Sequence, residues 1–309
     1  MALKNNCIVI GGSGFIGNHL ARKLLNQYYP VTIFSRSDSQ QNTNLSDIIS
    51  KISYIKGDII DSKLLGSIIT SDSYIFDLAT SSVPASSSAQ TFDEIQSHVN
   101  LIQFCCQKKV KKIIFASSGG GVYGHKKVMP ISEFQHLQPS SPHAIGKCTI
   151  EYFLDYYCTQ KQIPFVIYRI SNPYGPGQTP KTGFGLIPTL FANVLSGTPP
   201  TLYDKGQAVR DFIYIDDLIE AITISFSKNN KYNFYNIGSG IGTKIINIWS
   251  AIKTITDSKL EPQLLPKRIF DVKKSILDIK RFNQEYNWKP NTKLHKGLNQ
   301  TWDWVHSKN

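Results

Sequence analysis

Two groups of residues in this sequence are equipped for chemistry on an organic ligand. Ser117 and Ser118 end the apolar run Ile113-Ile114-Phe115-Ala116. A buried strand there would deliver two hydroxyls to its C-terminal edge, where open α/β sheets bind ligands. His143 and Lys147, in Ser141-Pro142-His143-Ala144-Ile145-Gly146-Lys147, are four apart and share one helix face. An ammonium in that place can hold hydroxyls and shift the pKa of an acid/base neighbour. A third group binds rather than reacts. Gly11, Gly14 and Gly17 follow the apolar run Cys7–Ile10 and precede Leu20, Leu24 and Leu25 at helical spacing. Strand, glycine turn and helix in that order suit a pyrophosphate: the backbone approaches without Cβ atoms in the way, and the helix N-terminus supplies N–H groups and partial positive charge.

The elements that position these groups are legible as alternation. Strand-like runs fall at Cys7–Ile10, Val31–Phe34, Ile52–Ile55, Tyr74–Asp77, Ile113–Ala116 and Phe165–Arg169. Helical stretches are expected at Asn18–Gln27, Leu45–Ile49, Lys63–Ile69, Phe92–Gln107 and His143–Gln160. Such alternation predicts a doubly wound parallel α/β sheet. The serine-rich Ser81–Ser88 reads as a loop near the strand ends. After Ser171 the texture changes: Asn172-Pro173-Tyr174-Gly175-Pro176-Gly177 is dense in turn formers, and Thr198-Pro199-Pro200 marks another break. Arg210–Ile215 and Phe234–Ile237 are strand-like and are expected to return to the main sheet. The division is therefore a dinucleotide-type unit over residues 1–171, with 210–240 returning to it, and a smaller α+β unit over most of 172–309.

At 309 residues, with 41% apolar and 18% charged residues, the chain can bury a sizeable core. No run is long and apolar enough for a membrane span. The first strand begins within a few residues of Met1, which leaves no room for a secretory signal, so a cytoplasmic protein is expected. Five cysteines, without a C-x-x-C pair, suggest neither a disulfide framework nor a metal site. The net charge of +12 comes from scattered lysines that are not interleaved with aromatics, which disfavours nucleic acid and leaves a solvated basic surface or a cleft for a diphosphate.

The end of the second strand bears on which dinucleotide binds. An acid there accepts from a ribose hydroxyl, whereas an arginine pairs with a 2′-phosphate. Ser35-Arg36-Ser37 stands there, with the first acid only at Asp38, which favours NADP(H) over NAD(H). Asp58, closing the third strand, either holds an adenine amino group or is a turn residue.

The ordered set of Gly11–Gly17, Ser117–Gly124, Ser141–Lys147, Arg169–Gly177, Arg210–Asp217, Asn236–Gly240 and Trp288-Lys289-Pro290 resembles the extended short-chain dehydrogenase/reductases. Within them it is similar to the nucleotide-sugar epimerase/dehydratase family of UDP-glucose 4-epimerase, nearly end to end. The resemblance implies a Rossmann-type sheet with a smaller C-terminal substrate domain, a bound NAD(P), a sugar nucleotide (UDP-, dTDP- or GDP-linked) and a homodimer formed through Phe92–Gln107 and His143–Gln160. It implies cofactor contacts from Gly11, Gly14, Phe15, Ile16, Gly17, Ser35, Arg36, Asp58 and Ile59. Leu78, Ala79, Thr80, Lys147 and Ile170 complete that set. Ser118, His143 and Lys147 are implied as catalytic. Asn172 would contact the substrate diphosphate region, Arg210 and Arg268 its phosphate oxygens, and Asp271 its ribose, with Ser118 also touching substrate.

Departures from the family pattern bear on chemistry. The Tyr of Tyr-x-x-x-Lys is His143, and the usual hydroxyl position is Gly119, one residue after Ser118. The Asn-x-x-Gly-Thr pattern is degraded to Glu94-Ile95-Gln96-Ser97-His98. Imidazole titrates near 6.5 and a neighbouring ammonium pushes it lower, so His143 accepts protons more readily than it donates them. Tyr123 is an alternative phenol, although it is expected to pack under its loop. Three readings follow. One is C4 epimerisation through a transient 4-keto sugar. Another is NADPH-dependent reduction of a 4-keto sugar, which Arg36 favours. The last is a catalytically impaired nucleotide-binding sensor or scaffold, which His143 and Gly119 favour.

Overall fold

The computed structural model describes residues 5–38, 43–83, 86–180, 185–268 and 271–308. In the first half, apolar runs of four to seven residues become β1 (Cys7–Ile10), β2 (Val31–Ser35), β3 (Ser53–Lys56), β4 (Tyr74–Asp77), β5 (Lys112–Ser118) and β6 (Phe165–Ile170). Between them lie α1 (Phe15–Asn26), α2 (Ser62–Ile68), α3 (Ser88–Lys108) and α4 (Pro142–Lys161). Every residue of β1, β4 and β6 is buried, because helices cover both faces and leave no polar side to alternate with.

The second half adds β7 (Asn172–Tyr174), α5 (Leu186–Ser196), β8 (Thr201–Tyr203), β9 (Val209–Tyr214), α6 (Ile215–Ser225) and β10 (Phe234–Ile237). It closes with β11 (Gly242–Lys244), α7 (Ile245–Thr256), β12 (Gln263–Leu265), β13 (Lys274–Ser275), α8 (Lys280–Tyr286) and α9 (Leu294–Ser307). The main sheet runs β10-β6-β5-β4-β1-β2-β3, with each neighbouring pair parallel. β1 lies between β2 and β4, with Cys7 opposite both Val31 and Tyr74. The strand order therefore reverses beside β1, and the carboxyl ends of β1 and β4 flank the crevice where such sheets bind ligands. One apolar core packs Leu20 and Leu24 of α1 against Leu218 and Ile222 of α6; the other packs Leu65, Leu101 and Leu154 of α2, α3 and α4 on the opposite face. The result is an α/β fold with a seven-stranded parallel Rossmann-type sheet and a smaller mixed sheet.

Two expectations are corrected. Leu45–Ile49 is not a helix but two single turns of tight helix, at Thr43–Leu45 and Ile49–Lys51. Leu45 and Ile48 are buried, yet so short a segment with two adjacent β-branched residues does not offset the cost of nucleation. Arg210–Ile215 does not join the main sheet. As β9 it pairs in parallel with β7 and β13 and antiparallel with β11. The place beside β6 is taken by β10, which pairs Phe234 with Ile167, so Phe234–Ile237 alone returns.

Candidate active site

The glycine turn is built by close approach. Gly11 has φ of +76°, and a Cβ on it would lie 3.0 Å from the Ala79 backbone. A Cβ on Gly17 would lie 2.6 Å from the Gly11 carbonyl oxygen, so only glycine lets α1 seat on the turn. Gly14 caps α1 without a side-chain hydrogen bond, and no acid stands in the first helical turn. Those N–H groups and the helix dipole favour an anion. Gly14 itself is open: a Cβ there would meet only the Gly11 oxygen, at 3.2 Å. A backbone arch with one open glycine over an uncapped helix end fits a dinucleotide diphosphate.

A single cleft of about 1240 Å³ starts at this turn and crosses the sheet edge into the C-terminal part of the chain. Gly11, Gly14, Phe15, Ile16 and Gly17 line it, as do Ser35, Arg36, Asp58 and Ile59 around the end of β2. Leu78, Ala79 and Thr80 line it after β4. Ser35 shares a short hydrogen bond with the Ser13 hydroxyl. Asp38 pairs with Lys56 at 3.4 Å. Asp58 accepts from the Ile60 N–H at 3.3 Å, as a turn residue does. Ile170 is not on the cleft wall: it is buried in the core, opposite Ser118 in the β5–β6 pairing.

The centre of the cleft is made of side chains. Ser118 lines it at the end of β5. The neighbouring Gly119 admits no side chain, since a Cβ would lie 2.5 Å from Leu277 and 2.8 Å from the Arg169 carbonyl oxygen. Ser141 caps α4 through its hydroxyl and Pro142 opens the helix, which sets His143 in the first turn. His143, Lys147 and Glu151 then repeat every four residues on one buried face. His143 lines the cleft and its Nδ1 lies 2.9 Å from the Ser82 hydroxyl. Burial and the Lys147 ammonium, against the opposing pull of Glu94, hold its pKa down to about 4. Lys147 is not part of the cleft surface. It is buried behind it, donating to the Ala79 carbonyl at 3.4 Å, with its ammonium 4.0 Å from Glu94 and 4.8 Å from the centre of the Phe115 ring.

The far end holds the substrate candidates. Asn172 lines the cleft and donates to the Asp211 carbonyl at 2.8 Å. Arg210, Arg268 and Asp271 all line it. Burial lowers the pKa of Arg210, while Arg268 and Asp271 form a two-pronged pair at 2.8 and 2.9 Å. The Arg268 guanidinium stacks 4.2 Å from the Tyr203 ring centre. Two buried side-chain atoms near this wall, Ser171 Oγ and Gln178 Oε1, have no hydrogen-bond partner among the described residues.

Several functional neighbours escaped the sequence reading. Glu94 lies at the cleft wall and accepts from Thr80, Ser81 and Ser82. His98 pairs with Asp77 at 2.6 Å, both buried. Glu151 pairs with Arg169 at 2.6 Å beneath the Ser117 end of β5. The four-residue repeat from His143 to Glu151 carried the signal for the last of these. Tyr123 is not a second acid/base: it is buried, donates to Asn236 at 2.7 Å and accepts from Arg169 at 3.0 Å, and burial pushes its pKa up to about 12. Among the described residues no His, Cys, Asp or Glu group could hold a metal, and no helix is long and apolar enough to cross a membrane.

A parallel sheet with its cleft at the switch point, a glycine arch and a buried lysine beside the strand ends define a dinucleotide-binding α/β protein. Residues 7–238 match the NAD dependent epimerase/dehydratase family, and the chain belongs to it. A UDP-glucose 4-epimerase from Thermotoga maritima, solved with UDP-glucose, superposes with a TM-score of 0.91 at 30% identity, covering 98% of this chain and 99% of its own. A putative UDP-glucose 4-epimerase from Methanocaldococcus jannaschii is 30% identical over 307 residues, 98% of this chain and 99% of that protein. The dTDP-4-dehydro-6-deoxyglucose reductase of Escherichia coli is 28% identical over 309 residues, 97% of each chain.

Proposed function

We propose that this protein inverts C4 of a nucleotide sugar through a transient 4-keto sugar, using a nicotinamide dinucleotide. The observation that carries the reading is that one cleft joins the glycine arch to His143 and on to Arg210 and Arg268. Residues 1–171 hold the dinucleotide and most of 172–309 holds the sugar nucleotide. When bound, the dinucleotide supplies reversible hydride transfer at a sugar carbon. The chain supplies the rest. The N-terminus of α1 and the Gly11–Gly17 backbone hold the cofactor diphosphate. Arg210 and Arg268 take the substrate diphosphate, with Asp271 beside the ribose and Asn172 between them and the sugar. Ser118 hydrogen-bonds the reacting oxygen. His143, neutral at pH 7 with its pKa near 4, accepts the hydroxyl proton. Lys147, buried behind the cleft wall, acts on the site through its charge beside His143.

The test is turnover of UDP-glucose, followed by NMR with NAD⁺ or NADP⁺ added. UDP-galactose is the expected product. Failure to invert any UDP-, dTDP- or GDP-linked hexose with either cofactor overturns the reading. His143→Tyr should raise the rate above neutral pH by about tenfold, because a phenol beside Lys147 both accepts and returns the proton.

Arg36 on the cleft wall supports a second reading, NADPH-dependent reduction of a nucleotide-4-keto sugar. NADPH consumption against such a sugar tests it, and Arg36→Ala should then lower the preference for NADP(H) about tenfold. Binding of dinucleotide and sugar nucleotide with no turnover would instead mark a sensor. Exposed Phe92, Tyr152 and Tyr156 on α3 and α4 support a homodimer through these helices, which sedimentation checks.

A further inference from the structure

Glu94 stands in the second turn of α3, buried, with no acid/base duty in the scheme above. Its Oε1 accepts from the Thr80 hydroxyl at 3.0 Å. Its Oε2 accepts from the Ser81 N–H at 3.0 Å, the Ser81 hydroxyl at 3.0 Å and the Ser82 N–H at 2.6 Å. Four donors from three consecutive residues thus converge on one carboxylate from the next helix. Burial alone would raise its pKa, but Lys147, His98 and the Ser82 bonds outweigh burial and hold it at about 2. Glu94 is therefore a fixed negative charge at any working pH.

The segment it grips reaches His143. The Ser82 hydroxyl lies 2.9 Å from His143 Nδ1. A hydroxyl both donates and accepts, so this bond orients the ring whichever nitrogen carries the proton. The charged groups that face His143 are Lys147 on its own helix and Glu94 on α3. They act in opposite senses, and at 4.0 Å from each other each screens the other's effect.

We propose that Glu94 is a positioning residue for His143: by pinning residues 80–82 it places the Ser82 hydroxyl against Nδ1 and so orients the ring that takes the proton of the reacting sugar hydroxyl. The proton transfer rests on the activity proposed above, whereas the ring geometry does not. The step balances within itself. The O–H bond of the sugar breaks, a second ring N–H bond forms, the ring becomes imidazolium, and the proton returns to the same oxygen when the keto sugar is reduced. Glu94 keeps its charge throughout and offsets part of the Lys147 field that disfavours that imidazolium.

The experiment joins ¹⁵N NMR of histidine-labelled protein to steady-state kinetics with UDP-glucose. In the wild type the His143 ring should be neutral and in a single tautomer, held by the Ser82 hydroxyl, from about pH 6 to pH 8. Glu94→Gln should give a mixed or exchanged tautomer and lower kcat about 10- to 100-fold, with KM for UDP-glucose within about twofold. Its acid limb in kcat should move to lower pH, because the charge that raises the His143 pKa is gone. Glu94→Asp, which keeps the charge, should restore part of kcat. Ser82→Ala leaves Glu94 in place and should disturb the same ring signals. A wild-type ring that already exchanges between tautomers overturns the proposal, as does an unchanged ring spectrum in both Glu94→Gln and Ser82→Ala. A ring that behaves as expected in a protein that turns over no sugar nucleotide supports the positioning role and overturns the activity alone.

Discussion

The two ends of the dinucleotide side of the cleft are made of different materials. At the glycine turn the site is backbone: Gly11 presses on Ala79, Gly17 on Gly11, and the side chains needed are absent ones. At the centre it is side chains under compensation: Glu94 against Lys147, Asp77 against His98, Glu151 against Arg169, all buried. The first kind of site depends on shape and tolerates no added atom. The second depends on charge balance, so removing one partner leaves the other charged in a place without water. Loss of a group should therefore hurt most at the centre, and gain of a group most at the turn.

The largest effect expected is at Glu151. It takes both Arg169 Nε, at 3.1 Å, and Nη2, at 2.6 Å, and the Ser117 hydroxyl, under the end of β5. Glu151→Ala would leave the guanidinium buried with Tyr123 as its remaining polar contact. Breaking a buried pair from one side costs about 3–5 kcal/mol, and urea unfolding measures it. A loss below about 1 kcal/mol would show that solvent reaches Arg169 and that the centre is not the dry site described here.

Acid should dismantle the same centre in two separate steps. Folding holds His143 near 4, whereas an unfolded ring titrates near 6.5. Between those values the unfolded chain binds the extra proton, so stability falls as pH falls from 6.5 to 4, by up to about 3 kcal/mol. Glu94 is held near 2 against an ordinary 4.5, so its contribution is present above 4.5 and lost as pH falls from 4.5 to 2. Urea unfolding at stepped pH should resolve the two windows. His143→Asn should flatten the upper one and leave the lower one in place. If the upper slope persists in that variant, another group carries it.

This contrast also sets what could be read from the sequence. The strands, four of the five expected helices and the glycine turn follow from local signals (period, spacing, turn chemistry), and Arg36 from its place after the second strand. Asn172, Arg210, Arg268 and Asp271 on the cleft wall are named only by the family resemblance. The short segment at Leu45–Ile49 failed because five apolar-rich residues do not distinguish one helix from two turns. The β9 strand was assigned to the wrong sheet because hydrophobicity marks a strand and not its partner; only the presence of β7 and β10 decides that. The centre was legible as residue types at Ser118, His143 and Lys147 and illegible as a network. Thr80, Ser81 and Ser82 meet Glu94 across 12 to 14 residues of chain, and Glu151 meets Arg169 across 18. No period links them.

The smaller but sharper effect lies at the turn, where two glycines separate structure from binding. A Cβ on Gly17 would stand 2.6 Å from both the Gly11 oxygen and the Gly12 Cα, so in Gly17→Ala the helix must shift off the turn. Such overpacking against rigid backbone costs about 1–3 kcal/mol. The thermal midpoint should fall, and affinity for NAD⁺ or NADP⁺ should weaken about 10- to 30-fold with it. A Cβ on Gly14 meets only one atom, at 3.2 Å, and otherwise projects into open cleft. Gly14→Ala should therefore keep a wild-type midpoint and still lose dinucleotide affinity, because the added methyl stands where the diphosphate lies. UDP, which the proposed function seats at Arg210, should bind both variants within about twofold of wild type by calorimetry. Equal dinucleotide binding by Gly14→Ala and the wild type would place the diphosphate elsewhere and remove the argument that the open glycine is there for a ligand.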